Sequence, residues 1–88
     1  MVERAVTITN RAGIHARPAA VLVQAAKDFS STIYFKKGND KINAKSIMGI
    51  LTLAAAYGTE LIISAEGEDE EKAVETIAHL FEAKFEEE

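Results

Sequence analysis

His15 lies three positions before Pro18, in the stretch Gly13-Ile14-His15-Ala16-Arg17-Pro18-Ala19-Ala20. Proline is tolerated in the first turn of a helix, where the amides have no intrahelical partner. The stretch therefore predicts a helix that begins at Ala16 and carries His15 at its entrance. The backbone amides of Ala16 and Arg17 should then point outward unpaired, and together with the helix dipole they make an anion site. Arg17 adds a guanidinium suited to phosphate oxygens. Small neighbours (Gly13, Ala16, Ala19 and Ala20) leave an imidazole at position 15 open to a large partner.

The rest of the composition narrows what that imidazole can do. A histidine in a catalytic triad needs a carboxylate to orient it and a nucleophile to serve, but no acid occurs from Arg4 through Lys27 and the chain has no cysteine. Disulfides and thiolate metal sites are excluded on the same ground. A metal site takes several ligands, and the only other histidine is His79. What remains is imidazole acting itself as the nucleophile. Attack on a phosphoryl group gives phosphohistidine. The helix amides and Arg17 would hold the added charge, about −1.5 to −2 by analogy with phosphorylated hydroxyls. Imidazole is also a good leaving group, so the phosphoryl group stays transferable. Such a site needs no pocket and no cofactor, because a partner enzyme can supply the rest. At this level a histidine that only caps a helix stays open as the alternative.

Ser46 is the second candidate. It precedes the apolar run Ile47-Met48-Gly49-Ile50-Leu51, which reads as a short helix with Ser46 at its cap. A phosphate there would be stabilised by the helix N-terminus and would add negative charge beside the site of His15. A plain capping hydroxyl is the alternative.

The elements that must carry these residues follow from hydrophobic period and chain breakers. Val2 to Thr9 alternates as a strand, with Val6 and Ile8 on one face. Asn10 to Gly13 reads as a loop, and Ala16 to Phe29 as a helix broken by Ser30-Ser31. Thr32 to Lys37 is a strand with Ile33 and Phe35 inward; Gly38-Asn39-Asp40 is a hairpin turn, and Lys41 to Ala44 the return strand. Tyr57-Gly58 turns the chain into a strand from Glu60 to Glu66. Asp69 is expected to cap a last helix running to about Phe85, with Glu70 and Glu71 in its first turn. The buried stripe of that helix is Val74, Ile77, Ala78, Phe81 and Phe85. The order β-α-β-β-α-β-α predicts an α+β fold with one antiparallel sheet and helices on one side.

Size and charge set the functional class. Eighty-eight residues make one domain, expected to span 1–88. A chain this short buries only about 60–65% of its unfolded surface, which suits surface chemistry better than a deep cleft. Residues 1–59 carry eight Lys or Arg against three Asp or Glu, a balance of +5; residues 60–88 carry two Lys against eleven acids, a balance of −9. The acid-free N-terminal stretch would attract an anionic ligand or an acidic protein. The overall acidity argues against nucleic acid as a direct partner. No apolar run approaches the roughly 20 residues of a membrane span, so no membrane insertion and a cytoplasmic location are expected.

The stretch from Gly13 to Ala20 resembles the active-site signature of the HPr family, the histidine-containing phosphocarriers of the bacterial phosphoenolpyruvate:sugar phosphotransferase system. The block Lys45-Ser46-Ile47-Met48-Gly49-Ile50 resembles that family's regulatory segment. The resemblance covers the whole chain in length and element order. It implies an open-faced β-sandwich of three helices over a four-stranded antiparallel sheet. It also implies a phosphotransfer carrier rather than a stand-alone enzyme. Phosphorylated Enzyme I would charge His15, accompanied by Arg17, and the phosphoryl group would pass to the A-domains of sugar permeases. Met48 and Gly49 look like the Gram-positive form, in which the serine matching Ser46 is the target of an HPr kinase/phosphorylase. The serine-phosphorylated form then binds a catabolite-control transcription regulator. A signalling-only phosphoprotein of the nitrogen-related branch is the alternative within the same system.

The partner face should include Arg17 and the helical row Ala16, Ala20 and Gln24 at i, i+4 and i+8. Ile47, Met48 and Leu51 are expected beside them, with methionine suited to adaptable contacts. Val23, Ile47 and Leu51 could equally be core. His79 is read as a residue of a solvated helix face, Tyr34 and Tyr57 as packing residues, and the protein as a monomer.

Overall fold

Apolar–polar alternation does build four strands, β1 (Val2–Thr7), β2 (Thr32–Lys37), β3 (Asp40–Asn43) and β4 (Glu60–Glu66). Three helices join them, α1 (Ala16–Lys27), α2 (Ile47–Thr52) and α3 (Glu70–Glu82), and a single 3-10 turn follows at Lys84–Glu86. These features come from a computed structural model of the chain, which describes residues 1–86.

The strands form one antiparallel sheet in the order β1-β4-β2-β3. The register places Val6 opposite Leu61 and Phe35 opposite Ile63, so one face presents a continuous apolar row with Ile33 and Ala65. The helices cover that face: α1 buries Ala19, Leu22, Val23 and Ala26, α2 buries Ile50, and α3 buries Ala73, Val74, Ile77, Ala78 and Phe81. Phe81 meets Phe35 edge-on at 5.9 Å between centroids and Phe85 at 5.1 Å, which locks the end of α3 onto the sheet. The opposite face of the sheet is mixed, polar residues alternating with Ala5, Tyr34 and the 36% exposed Ile62. There Lys36 pairs with Glu3 at 2.5 Å, and the Lys41 ammonium lies 4.3 Å from the centre of the Tyr34 ring. The α+β open-faced β-sandwich expected from the sequence is the architecture observed.

The boundaries differ where the chain tightens. The first strand ends at Thr7, not Thr9, because Asn10 turns inward and is 1% exposed. The first helix ends at Lys27, not Phe29. Its last turn closes on three-residue hydrogen bonds, Asp28 N to Ala25 O and Phe29 N to Ala26 O. The return strand is Asp40–Asn43, one residue earlier than expected, although Ala44 still donates to the Ile33 carbonyl at 2.9 Å. The last helix stops at Glu82, since Lys84 and Phe85 adopt positive φ of 55° and 54°. That turn returns Phe85 to the core, where it is 7% exposed.

Asp69 stands at the N-cap position of α3 but makes no side-chain cap. Its carboxylate instead accepts from Ser30 N at 2.9 Å, from Ser31 N at 3.0 Å and from the Ser31 hydroxyl. It thereby ties the exit of α1 to the entrance of α3. These bonds, the Ser31 hydroxyl first, hold its carboxyl below the ordinary aspartate value of 3.8. Glu70 takes the Gly67 amide at 3.0 Å and pairs with the N-terminal ammonium at 3.2 Å. Its carboxyl is lowered for those two reasons in that order.

Candidate functional site

The segment before His15 is held from both sides. Ile8 bonds to the turn that leads into β4, Ile8 N to Thr59 O at 2.9 Å and Gly58 N to Ile8 O at 2.8 Å. Asn10 then folds back over Gly13. The Asn10 carboxamide donates to the Gly13 carbonyl at 2.7 Å, and Gly13 N donates to the Asn10 carbonyl at 3.1 Å. Ile14 is 7% exposed and donates its amide to Ala55 O at 2.9 Å. Two backbone features make this close approach possible. Ala54 takes φ +50° and reverses the chain after α2, a conformation that costs a non-glycine residue about 1–2 kcal/mol. Gly13 takes φ +72°, and a Cβ there would lie 2.7 Å from the Ala55 oxygen and 3.0 Å from the Ala56 Cα. Only glycine fits.

His15 is the N-cap residue of α1, with φ −106° and ψ −164°. Its carbonyl accepts the first helical bond, from Ala19 N at 3.0 Å. The imidazole makes no capping hydrogen bond and is exposed. The reading of His15 as a mere cap therefore loses its physical basis. Pro18 is buried and anchors the first turn. Ala16 and Arg17 are exposed, and no acid lies in that turn. Their amides come before the first intrahelical bond and sit at the positive end of the helix dipole.

Ser46 caps α2, its hydroxyl accepting from Gly49 N at 3.0 Å. The next residue back, Lys45, donates through its ammonium to Phe29 O at 2.8 Å, at the C-terminal end of α1. The Lys37 ammonium likewise donates to Leu53 O at 2.8 Å, at the C-terminal end of α2. Helices α1 and α2 pack against each other, so His15 and Ser46 are the N-caps of two adjoining helices. The far end of α2 continues into Ala55, whose carbonyl holds Ile14.

The expected partner-face residues Ala16, Arg17, Ala20 and Gln24 on α1 are all exposed. On α2, Ile47 is 43% and Met48 71% exposed, whereas Leu51 is half-buried against the core. Val23 is core at 4% exposure. His79 is exposed, and so is Tyr57, at 64%, which removes the packing role expected of it. Among the described residues, concavities lie along residues 67–72 and between β1 and the end of α3. Neither includes His15, Arg17 or Ser46. Among the described residues no cluster of three or more His, Asp or Glu could hold a metal ion, and no helix is long and apolar enough to cross a membrane.

Two features escaped the sequence reading. One is Asn10, which looked like an ordinary loop residue; its burial follows from the fold and has no local signal. The other is the Asp69–Ser31 tie, whose partners are 38 residues apart.

Residues 2–83 match the family model described as the PTS HPr component phosphorylation site. The chain is 51% identical to the phosphocarrier protein HPr of Treponema pallidum (strain Nichols), over the full length of both. It is 46% identical over 78 residues to the HPr-like protein Crh of Bacillus subtilis, covering 89% of this chain and 92% of that protein. The crystal structure of HPr-C-His from Thermoanaerobacter tengcongensis superposes with a TM-score of 0.96 at 51% identity. That match covers 100% of this chain and 99% of the other.

Proposed function

The chain belongs to the HPr family of phosphocarrier proteins, and from that membership we propose that His15 accepts a phosphoryl group from phosphorylated Enzyme I and passes it to the A-domains of sugar permeases. The observation that carries this reading is an exposed imidazole, not engaged in capping, at the N-terminus of a 12-residue helix whose first turn holds no acid. In the transfer step the imidazole lone pair attacks phosphorus. A nitrogen–phosphorus bond forms as the bond from phosphorus to the donor breaks, and the donor leaves with that electron pair. The amides of Ala16 and Arg17, with the Arg17 guanidinium, receive the phosphoryl oxygens. The onward step is the reverse, with the acceptor's nucleophile attacking. Partners dock on Ala16, Arg17, Ala20, Gln24, Ile47, Met48 and Leu51. The carrier works as a cytoplasmic monomer, with no cofactor of its own.

Ser46 is proposed as the regulatory site, phosphorylated by an HPr kinase/phosphorylase and then read by a catabolite-control transcription regulator. Its hydroxyl accepts from the Gly49 amide, which uses one lone pair and leaves the other lone pair and the O–H for a kinase to engage. Phosphate there adds charge beside the face that meets Enzyme I, and like-charge repulsion slows the charging of His15.

The deciding experiment is incubation with Enzyme I and labelled phosphoenolpyruvate. Acid-labile, alkali-stable label should appear on the wild type and not on His15→Ala. Label retained by His15→Ala would refute the assignment. For the serine, Ser46→Asp should take label on His15 more slowly than the wild type, and an unchanged rate would count against regulation through charge.

A further inference from the structure

We propose that Tyr57 is an aromatic anchor for the phosphoryl donor protein, an inference that rests on the phosphocarrier reading above and adds to the docking face a residue outside α1 and α2. Tyr57 is 64% exposed, and among the described residues it makes no hydrogen bond, ion pair or ring contact. Its neighbours Ala54, Ala56 and Gly58 are small and exposed as well, so the turn supplies no bulk to cover the ring. The turn is pinned beside the route into His15. The Ala55 carbonyl accepts from Ile14 N at 2.9 Å, Thr59 N donates to Ala56 O at 3.0 Å, and Gly58 N donates to Ile8 O at 2.8 Å. A large aromatic side chain thus stands uncovered on a fixed backbone near the site of transfer.

A transfer partner must cover His15. An interface of ordinary size takes about 800 Å² from each partner, a patch about 30 Å across, whereas this molecule measures only 33 × 27 × 20 Å. Chain geometry through Ile14 and Ala55 keeps the Cα atoms of His15 and Tyr57 within about 18 Å of each other, so one such patch holds both. No acid occurs from Arg4 through Lys27 or from Lys41 through Thr59, and the two segments that meet here therefore attract a partner with an acidic rim. Tyrosine brings a large ring at little entropic cost and is enriched among the residues that dominate interfaces. The donor fits this anchor better than an acceptor does. In the phosphocarrier reading the chain meets one donor, Enzyme I, but several permease domains. Met48, 71% exposed, is flexible and suits several surfaces. Tyr57, a stiff ring on a pinned turn, suits a single pocket shape.

With phosphoenolpyruvate and catalytic Enzyme I, Tyr57→Ser should raise KM for the carrier about fivefold to thirtyfold, the cost of truncating an interface anchor, with kcat held. Tyr57→Phe, which keeps the ring, should stay near the wild-type KM. Transfer from the phosphorylated carrier to a permease A-domain should keep its KM in both variants. Neither change removes a contact within the fold, so melting temperatures should match the wild type. The chain has two tyrosines, Tyr34 and Tyr57. In NMR spectra, added unphosphorylated Enzyme I should shift the Tyr57 ring protons and leave those of Tyr34, on the open sheet face, in place. A wild-type KM in Tyr57→Ser, or unshifted Tyr57 resonances, would overturn the proposal. So would a fall in kcat at unchanged KM, which would move Tyr57 into the chemical step. A KM raised as much for the A-domain would overturn the assignment to the donor. A loss in Tyr57→Phe as large as in Tyr57→Ser would overturn the ring as the anchor, and a marked fall in melting temperature would make it a packing residue. Absence of label on the wild type is a different failure, because it removes the phosphocarrier reading itself.

Discussion

Replacing Ser46 with alanine removes one hydrogen bond, the 3.0 Å acceptance from Gly49 N, and its cost can be worked out. Serine, asparagine and aspartate stabilise a helix N-cap relative to alanine by about 0.5–2 kcal/mol. Ser46 is half-buried, so water only partly replaces it and the cost should fall near the middle of that range, about 1 kcal/mol. The loss is limited because α2 stays anchored by Ile50, which is fully buried; releasing that side chain as well would cost about 2–3 kcal/mol more. Unfolding entropy is about 2.1 cal/mol/K per residue. For 88 residues, 1 kcal/mol then lowers Tm by about 5 °C. Ser46→Asp restores the acceptor and places negative charge at the positive end of the helix, so its Tm should stay near that of the wild type. Thermal melts followed by circular dichroism test both variants. If alanine leaves Tm unchanged, or if aspartate falls as far as alanine, the hydroxyl is not stabilising α2 and the capping account fails.

Three further outcomes follow from the core and its ties. Asp69 has a folded-state pKa below its ordinary 3.8, so the stability it contributes is present above the unfolded value and is lost as pH falls through the lower folded one. The difference in urea midpoint between wild type and Asp69→Asn should hold steady from neutral pH down to about pH 5 and shrink below about pH 4; a gap that widens in acid contradicts this. Phe81→Ala, at a position 1% exposed and in edge contact with Phe35 and Phe85, should cost about 3–5 kcal/mol by urea denaturation. A loss under 1 kcal/mol would mean that the ring is not locking α3 to the sheet. Gly67→Ala should destabilise, because φ is +150° and the new Cβ would lie 2.7 Å from the Ser31 hydroxyl and 2.8 Å from its Cα. If its urea midpoint equals that of the wild type, the close approach of residues 31 and 67 is misplaced.

Local pattern carried most of the elements, because burial on one side leaves a period that can be read directly. The β2 and β4 spans, the Ser46 cap and the buried stripe of α3 follow from neighbours no more than about four residues apart. Where an element ended because of a distant contact, the reading missed. The last helix was expected to run to Phe85, and the stripe did include that residue. A reversal at Lys84 and Phe85 brings the ring home instead of a continuing helix. Asp69 was expected to cap α3 because aspartate before a helix usually does. It is claimed instead by Ser30 and Ser31, which only the packing of the α1 exit against the α3 entrance makes available.

The candidate site divides along the same line. Helix grammar alone places His15 at the mouth of α1, with Ala16 and Arg17 in its first turn. That grammar is local, because Pro18 and a row of alanines determine where the helix can start. The path of the chain into His15 was decided by tertiary structure. Asn10 turns inward over Gly13, Ala54 takes a positive φ, and Ala55 meets Ile14 from a segment some 40 residues away. Backbone hydrogen bonds between such segments depend on how α2 and the start of β4 pack beside the first loop. No period or breaker in the sequence encodes that juxtaposition.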